Sequence, residues 1–547
     1  MFVNDIGTPI TERHPENATQ IQHSENILQA ALHHAIHARP QRTLDRIKSR
    51  NCLTAWERVQ ALIDPESRLW HMGALQNYAK NPEDSSGLGV ICAFGTVQKR
   101  SVVIIASDNT HAAGAWWPGT PEKIQRAQNM ALRLRIPVLY LIESAGLYLA
   151  LQEQTYASEH GAGAIFERQA TLNHHAIPQL AAVFGDCIAG GGYMPLLCDK
   201  IVMTERASIC IGGGAIHHAS CGASHAQLGA PNVHVHYTAT ACARVPNDHA
   251  AIQWLRAQVE TLPTSANAYY RFTPAVPPHY AIEDLYDILP RDNAQPFDIA
   301  QCLARLVDAS QIEPLFDDTG SEIFGARAAI DGLPIAFIAN SADSTTEEQK
   351  YKFGAILYKT GIQKMHRIAA QAYDDGIPLV WIQDVSGFEI GESAERDALL
   401  KHGAALFHQT ARDDFRSPPC LTILLRKAAG AGFYAMKGTP FHPAWTLVTA
   451  LTNLEVMRPD VLASALYDKK IAQLSDSDPK RAELLALKRQ LSETQARHAT
   501  AQAALERGDA DSFVPLSELR NAILDFARAT WQSLRPVKPK HLRFSED

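Results

Sequence analysis

The sequence predicts a duplicated α/β chain: two domains of alternating strands and helices, each centred on a glycine-rich strand-to-helix turn. Three observations carry this. Gly185-Asp-Cys-Ile-Ala-Gly-Gly-Gly-Tyr-Met-Pro195 and Arg426-Lys-Ala-Ala-Gly-Ala-Gly-Phe-Tyr-Ala-Met436 follow strand-like runs at 179–184 and 421–425, and each leads into a helix-compatible segment. Ile136-Pro-Val-Leu-Tyr-Leu-Ile-Glu-Ser-Ala-Gly146 is answered by Ile377-Pro-Leu-Val-Trp-Ile-Gln-Asp-Val-Ser-Gly387, and the run 102–106 by 335–339. The interval between counterparts stays near ~240 residues, far longer than a solenoid period, so one domain has been copied.

The glycine turns have a chemical meaning. Glycine lets a backbone approach a ligand with no side chain in the way. A helix that starts there points free N–H groups outward, with the positive end of its dipole behind them. Donors preorganised where negative charge develops form an oxyanion hole. One such turn is common; two in matching places of a duplicated chain point to chemistry.

The 547 residues suffice for two or three domains with sizeable cores. A net charge of −7 gives no global attraction to nucleic acid. No apolar run reaches the ~18 residues of a membrane helix, and Met1-Phe-Val-Asn-Asp5 lacks the layout of a signal peptide. Nine cysteines without a CxxC pair argue against a zinc ribbon or a disulfide framework and for a reducing cytoplasm.

In chain order, residues 1–50 are polar and His-rich and are expected to form an N-terminal tail or surface helix. The stretch 52–64 predicts a helix with Leu53, Trp56, Val59 and Leu62 on one face. A loop at 82–89 leads into a hairpin of 90–95 with 102–106. After an irregular loop, 108–119, Thr120-Pro121 predicts a helix start with Thr120 as cap, and Ile124, Ala127, Ala131 and Leu134 form its apolar stripe. The Ile136 strand ends at Glu143-Ser-Ala-Gly146. Gly161 opens another helix, and Ile211-Gly-Gly-Gly214 and the run 228–236 follow the first glycine turn. A proline-rich segment, 261–278, and a linker, 290–296, close the first domain (51–295). The second (296–547) repeats the order: a strand at Ile335, a helix through Met365, Ile368 and Ala372, a strand at Ile377 and a turn at Gly430. Asp478-Pro479 predicts a long helix with Leu484, Leu487 and Leu491 on one side, stopped by Gly508. A last helix, 516–534, carries Leu519, Ile523, Phe526 and Ala527. These closing helices are expected to cover a domain or subunit surface.

With those residues on the page, the chain resembles the carboxyltransferase subunits of biotin-dependent enzymes. That group includes acyl-CoA carboxylase β subunits, the non-biotin subunit of methylcrotonoyl-CoA carboxylase and the α subunit of glutaconyl-CoA decarboxylase. The resemblance runs from Leu53 to Leu534. It rests on Leu53-Thr-Ala-Trp-Glu-Arg58, Ser107-Asp-Asn109 with Gly114-Ala-Trp116, Ser144-Ala-Gly146, Ala189-Gly-Gly191, Leu228-Gly229 with Val233-His234, Asp384-Val-Ser-Gly387 and Gly430-Ala-Gly432. The runs 357–365 and 377–384 are most similar to the glutaconyl-CoA decarboxylase α branch, and 430–436 to the methylcrotonoyl-CoA branch. The chain departs from family habit at Ala145, where many relatives have glycine, at Met457-Arg-Pro459, and at Asn340-Ser-Ala-Asp343.

The resemblance implies two tandem crotonase-like domains of ββα superhelical units and an active site at a homodimer interface within an oligomer. It implies that Gly190 and Gly191 supply the amides for the thioester oxygen of an acyl-CoA, and Ala431 and Gly432 those for the biotin ureido oxygen. Ser144, Ala145, Gly146, Gly192, Tyr193, Ser386, Gly387, Phe388, Gly430, Phe433 and Tyr434 are expected around the substrates, Tyr434 where the family tunes acyl-pocket size. Biotin would arrive on a separate carrier subunit, with coenzyme A as part of the substrate and no metal. A biotin carboxylase or a membrane decarboxylase subunit would complete the complex, with no nucleic acid partner. Work in the decarboxylation direction and a catalytically silent acyl-CoA-binding subunit are the alternatives, with a crotonase-type hydratase or isomerase behind them.

Other motifs read as bland. Ala435-Met-Lys437 echoes the core of a biotin attachment site, yet it follows a glycine turn and no small carrier domain is visible. His234 and His236, and the pairs His33-His34, His174-His175 and His217-His218, lack acidic or cysteine partners at ligand spacing; strand alternation or surface histidine explains them. Gly87-Leu-Gly89 is an incomplete dinucleotide fingerprint, no P-loop occurs, and Glu143-Ser144 lacks the frame of a nucleophile elbow.

Overall fold

Apolar runs without polar alternation make the central strands, the pattern of a parallel sheet covered on both faces. The computed structural model describes residues 3–78, 86–212, 229–262, 273–347, 350–411 and 418–532. The chain divides into two units: 29–269 with 528–534, and 1–28 with 270–527 and 535–547.

In the 29–269 unit the strands are β1 (Trp70–Met72), β2 (Val90–Val97), β3 (Arg100–Ser107), β4 (Val138–Ser144), β5 (Gln179–Ile188), β6 (Lys200–Thr204), β7 (Ser208–Cys210) and β8 (Ala243–Val245). They form one sheet in the order β1-β2-β3-β4-β5-β6-β8, with β7 also pairing β5. The β1–β2 and β2–β3 pairs are antiparallel, so the predicted hairpin is present; the later pairs are parallel. The helices include α1 (Ala55–Leu62), α2 (Thr120–Leu134), α3 (Ala162–His174), α4 (Gly190–Leu196) and α5 (Asp248–Glu260). Thr54 opens α1 with a full capping box, exchanging bonds with Glu57. Val59, Leu62, Leu139, Leu141, Leu180, Phe184 and Leu255 belong to one core cluster.

The other unit repeats the plan. The strands of its main sheet include β9 (Gln311–Pro314), β10 (Ile323–Ile330), β11 (Leu333–Asn340), β12 (Leu379–Val385), β13 (Cys420–Ala429), β14 (Trp445–Val448), β15 (Asn453–Glu455) and β16 (Ser512–Phe513). The order is β9-β10-β11-β12-β13-β14-β16, with β15 on β13 and the short strand Asn4–Asp5 outside β9. The helices include α6 (Lys359–Asp375), α7 (Leu399–Thr410), α8 (Gly430–Ala435), α9 (Pro459–Ile471) and α10 (Pro479–Ala499). Ile338, Met365, Ile368, Trp381 and Leu406 share its core.

The copy is faithful at the level of register. β4 pairs β5 from Val138↔Gln179 to Ile142↔Val183, then slips to Ser144↔Cys187. β12 pairs β13 from Leu379↔Cys420 to Gln383↔Leu424, then slips to Val385↔Ala428. Every one of these residues has its counterpart 241 positions on (379 less 138, 428 less 187). In both units the slip inserts two extra residues into the glycine-bearing strand, a bulge that bends the strand just before the turn.

Several local expectations change. Of the two expectations for the N-terminal segment, the helix is found and not the tail: Pro15–His37 is mostly exposed and buries Ile21, Glu25 and Leu28 on one side. Gly119, left-handed at φ +93°, takes the cap position before α2, not Thr120. The Thr120 hydroxyl instead accepts the Trp117 N–H and donates to the Leu88 carbonyl. His234 and His236 lie in one π-helical turn, Val233–Tyr237, not on a strand. α10 ends at Ala499; Thr500 caps a separate short helix, Ala501–Arg507, which Gly508 closes. The last helix is Leu519–Trp531, preceded by a 3₁₀ turn. Residues 82–85, Gly213, Gly214, His217, His218, Leu228, 263–272 and 533–534 lie outside the described residues.

Candidate active site

The first turn is built where β5 runs into α4. Ala189 holds φ +51°, a conformation that favours glycine, and the helix begins at once. Among the described residues the N–H groups of Gly190 and Gly191 have no hydrogen-bond partner, whereas Gly192 N–H is taken by the Ala189 carbonyl at 3.0 Å. Two donors therefore stand open at the head of α4. Space explains the sequence: a Cβ on Gly191 would stand 2.8 Å from the Ser144 carbonyl oxygen, and one on Gly190 would stand 3.2 Å from the Trp116 ring. Ser144 is fully buried; its hydroxyl donates to Gly114 O (2.9 Å) and accepts the Gly146 N–H (3.2 Å). Gly192 is buried against Ile209, while Ala145 is exposed and Tyr193 is half exposed, its ring edge-on to Phe166.

The second turn, where β13 runs into α8, has the same parts. Gly430 is left-handed at φ +53° in the place of Ala189. Ala431 and Gly432 N–H groups have no partner among the described residues. A Cβ on Gly432 would stand 2.7 Å from a Val385 methyl, as Gly191 stands on Ser144. Ser386 is exposed, Gly387 and Phe388 are half buried, Phe433 is buried and Tyr434 is exposed. The structure thus gathers Ser144, Ala145 and Gly146 with 190–193 in one unit, and 386–388 with 430–434 in the other.

Behind each turn lies an ionic device that the motifs alone did not reveal. Facing the first bulge is Glu143, paired with Arg58 of α1 at 2.8 Å. Arg58 also holds Asp248 at 2.9 Å and lies over the Phe184 ring. Asn109 donates to Glu143 (3.3 Å) and to Leu53 O (3.1 Å), and accepts the Ala55 N–H (3.0 Å). The Leu53–Arg58 and Asp108-Asn109 segments are therefore one brace at the end of β4. Its counterpart is Asp384, paired with Arg426 at 2.8 Å, both buried. Asp384 also accepts the Lys427 N–H (3.1 Å). Burial pushes the Lys427 ammonium below its usual range, against the opposing pull of Asp384.

The bland readings can now be placed. Lys437 is buried and donates to the Thr410 carbonyl. His234 is bonded to Thr240 and to the Ile209 carbonyl. Among the described residues no three His, Cys, Asp or Glu side chains are grouped to hold a metal ion, and no helix is long and apolar enough to cross a membrane. A cavity of about 1170 Å³, lined by Arg13, Asn17, Arg291, Asn293 and Asn453 among others, contains none of the predicted site residues.

Two equivalent turns each end a bulged parallel strand in a pair of open N–H donors. The description "Carboxyl transferase domain" matches residues 47–544, and the chain belongs to that family. It is 26% identical to the glutaconyl-CoA decarboxylase subunit alpha of Acidaminococcus fermentans, over 98% of this chain and 94% of that protein. It is 30% identical to the biotin-dependent 3-methylcrotonyl-coenzyme A carboxylase beta1 subunit of Mycobacterium tuberculosis, over 80% of each. The β subunit of P. aeruginosa geranyl-CoA carboxylase superposes with a TM-score of 0.81 over 98% of this chain and 99% of that one, at 23% identity. The two-domain crotonase-like fold is thereby shown.

Proposed function

We propose that this chain is the carboxyltransferase component of a biotin-dependent acyl-CoA carboxylase or decarboxylase. It moves a carboxyl group between carrier-bound biotin and an acyl-CoA thioester. The observation that carries the reading is the pair of open N–H couples, Gly190/Gly191 and Ala431/Gly432, at one constant interval in a duplicated fold. Carboxyl transfer places negative charge on two oxygens, the thioester oxygen and the biotin ureido oxygen, and two donor pairs answer two charges. Gly190 and Gly191 donate to the thioester oxygen; Ala431 and Gly432 donate to the ureido oxygen. Biotin, when bound, supplies or accepts the carboxyl group. Each donor is worth ~10²–10³ in turnover, as for other oxyanion holes.

Ser144, Ala145, Gly146, Gly192 and Tyr193 shape the acyl-CoA side. Ser386, Gly387, Phe388, Gly430, Phe433 and Tyr434 shape the biotin side. The chain works as a cytoplasmic homo-oligomer whose active site forms at a dimer interface, together with a biotin carrier subunit.

The test mixes the purified chain with free biotin and malonyl-, methylmalonyl-, 3-methylglutaconyl- and glutaconyl-CoA, and follows loss of the carboxyl group. Biotin-dependent decarboxylation of one ester is expected. CoA-ester binding with no reaction of any ester would overturn the reading in favour of a silent subunit.

A further inference from the structure

We infer that the buried Asp384–Arg426 pair is the positioning device of the second glycine turn, setting where the Ala431 and Gly432 N–H groups point. The inference rests on the proposed function for what those groups hold, but its geometry is independent of it. The slip between β12 and β13 leaves residues 425–427 without ladder partners on β12. One β12 residue faces them, Asp384, and its carboxylate accepts the Lys427 N–H at 3.1 Å, inside the bulge. A side chain thus stands in for the missing strand partner. Arg426, also inside the bulge, holds the same carboxylate through Nη2 (2.8 Å) and Nε (3.4 Å). Its Nη1 donates to the Pro290 (3.3 Å) and Gln295 (3.0 Å) carbonyls, and its guanidinium lies over Phe297. Asp384 is fixed in turn by its own N–H, bonded to Asn340 at 3.0 Å. The next residue, Val385, is the seat of Gly432. Adjacent residues of β12 therefore hold the bulge and the head of α8.

The first unit lacks this device although it has the same bulge. Gly185 stands where Arg426 would, and a Cβ there would stand 2.7 Å from the Glu143 carboxyl carbon. Glu143 takes its cation from another element, Arg58 of α1. Asp384 and Arg426 touch no reacting atom; they act through the turn.

The experiment compares D384N and E143Q in the full chain by amide exchange, calorimetry and kinetics with free biotin. In D384N, exchange of amides in 425–436 is expected to rise at least tenfold while 184–195 stays unchanged. The KM for biotin rises, biotin-dependent kcat falls about 10- to 100-fold, and the Kd for the CoA ester stays within twofold. E143Q is expected to leave exchange at 425–436 and the KM for biotin unchanged. If D384N does not fold, the neutral pair D384N/R426Q carries the same test. Unchanged exchange at 425–436, or losses spread equally over both units, would overturn the inference. Selective loosening of 425–436 with an unchanged biotin KM would instead count against the assignment of biotin to that turn.

Discussion

The two glycine turns have the same register, the same bulge and the same open donors, yet they are braced differently. The second turn carries its acid and its cation on neighbouring strands, sealed from water: the Asp384 and Arg426 side chains are 2% and 0% exposed. The first borrows its cation from α1 and leaves Glu143 20% exposed, with Arg206 a further 3.8 Å away. A duplicated backbone can thus keep its donors in place while the side chains that support them diverge. Backbone N–H groups survive any substitution that leaves the turn intact; the brace has many chemical solutions.

The contact beneath each turn gives the largest contrast. A methyl on Gly191 meets a backbone carbonyl, which cannot turn aside, whereas one on Gly432 meets the end of a valine side chain. Gly191→Ala is expected to lower carboxyl transfer by ~10²-fold or more, the scale of losing an oxyanion donor, and Gly432→Ala by about tenfold less. Equal losses in steady-state assays would break the contrast. Removal of the cations comes next. Arg426→Met leaves Asp384 buried with Lys427 Nζ 3.9 Å away as its remaining cation, and is expected to cost about 3–5 kcal/mol of stability. Arg58→Met should cost less, because Arg206 lies within 3.8 Å of Glu143 and 3.5 Å of Asp248. Denaturant unfolding of the two variants would show the order.

Acid should separate the units further. Burial, with Lys123 and His37 nearby, lowers His71 from its usual 6.5 to about 4. Between those values the unfolded chain binds a proton that the folded chain refuses, so the 29–269 unit loses stability as pH falls from 6.5 through 4. In the other unit burial works against ionisation of Glu347, but bonds from Lys352 and from the Gly320 and Ser321 N–H groups hold it at about 2. Its contribution is complete above 4.5 and is lost only as pH falls from 4.5 through 2. Amide exchange at pH 5 is expected to rise first in 29–269; the reverse order would refute the account. The smallest effect is a gain: Ala189→Gly gives the first turn the residue that the second already has, and relief of its left-handed strain is expected to add about 1 kcal/mol. A Tm that does not rise would mean the turn is not strained.

Much of this was legible in the sequence. The strands and the order of elements follow from apolar runs and the constant interval, and the two turns from their glycines; the donor pairs within the turns are what the family resemblance implies. The braces did not follow, because pairs such as Arg58–Glu143 join positions far apart in the chain. One signal was present: an acid falls at the same step after the Ile-Pro strand in both copies, Glu143 and Asp384. The misread elements share a cause in short-range ambiguity. A Val-His-Val-His alternation fits a strand or a single helical turn equally well over five residues. Thr500, flanked by alanines, looked like helix interior; its hydroxyl caps Ala503 instead.

The short strand Asn4–Asp5 carries a consequence for how the protein must be handled. It pairs with β9, the next strand inward on that side of its sheet. Tyr280 holds the Gly7 carbonyl behind it and Arg305 the Thr8 carbonyl. An uncovered sheet margin is a template for unwanted pairing between molecules. Asn4 and Asp5 therefore act as a seal, and removing them is expected to open β9 to self-association.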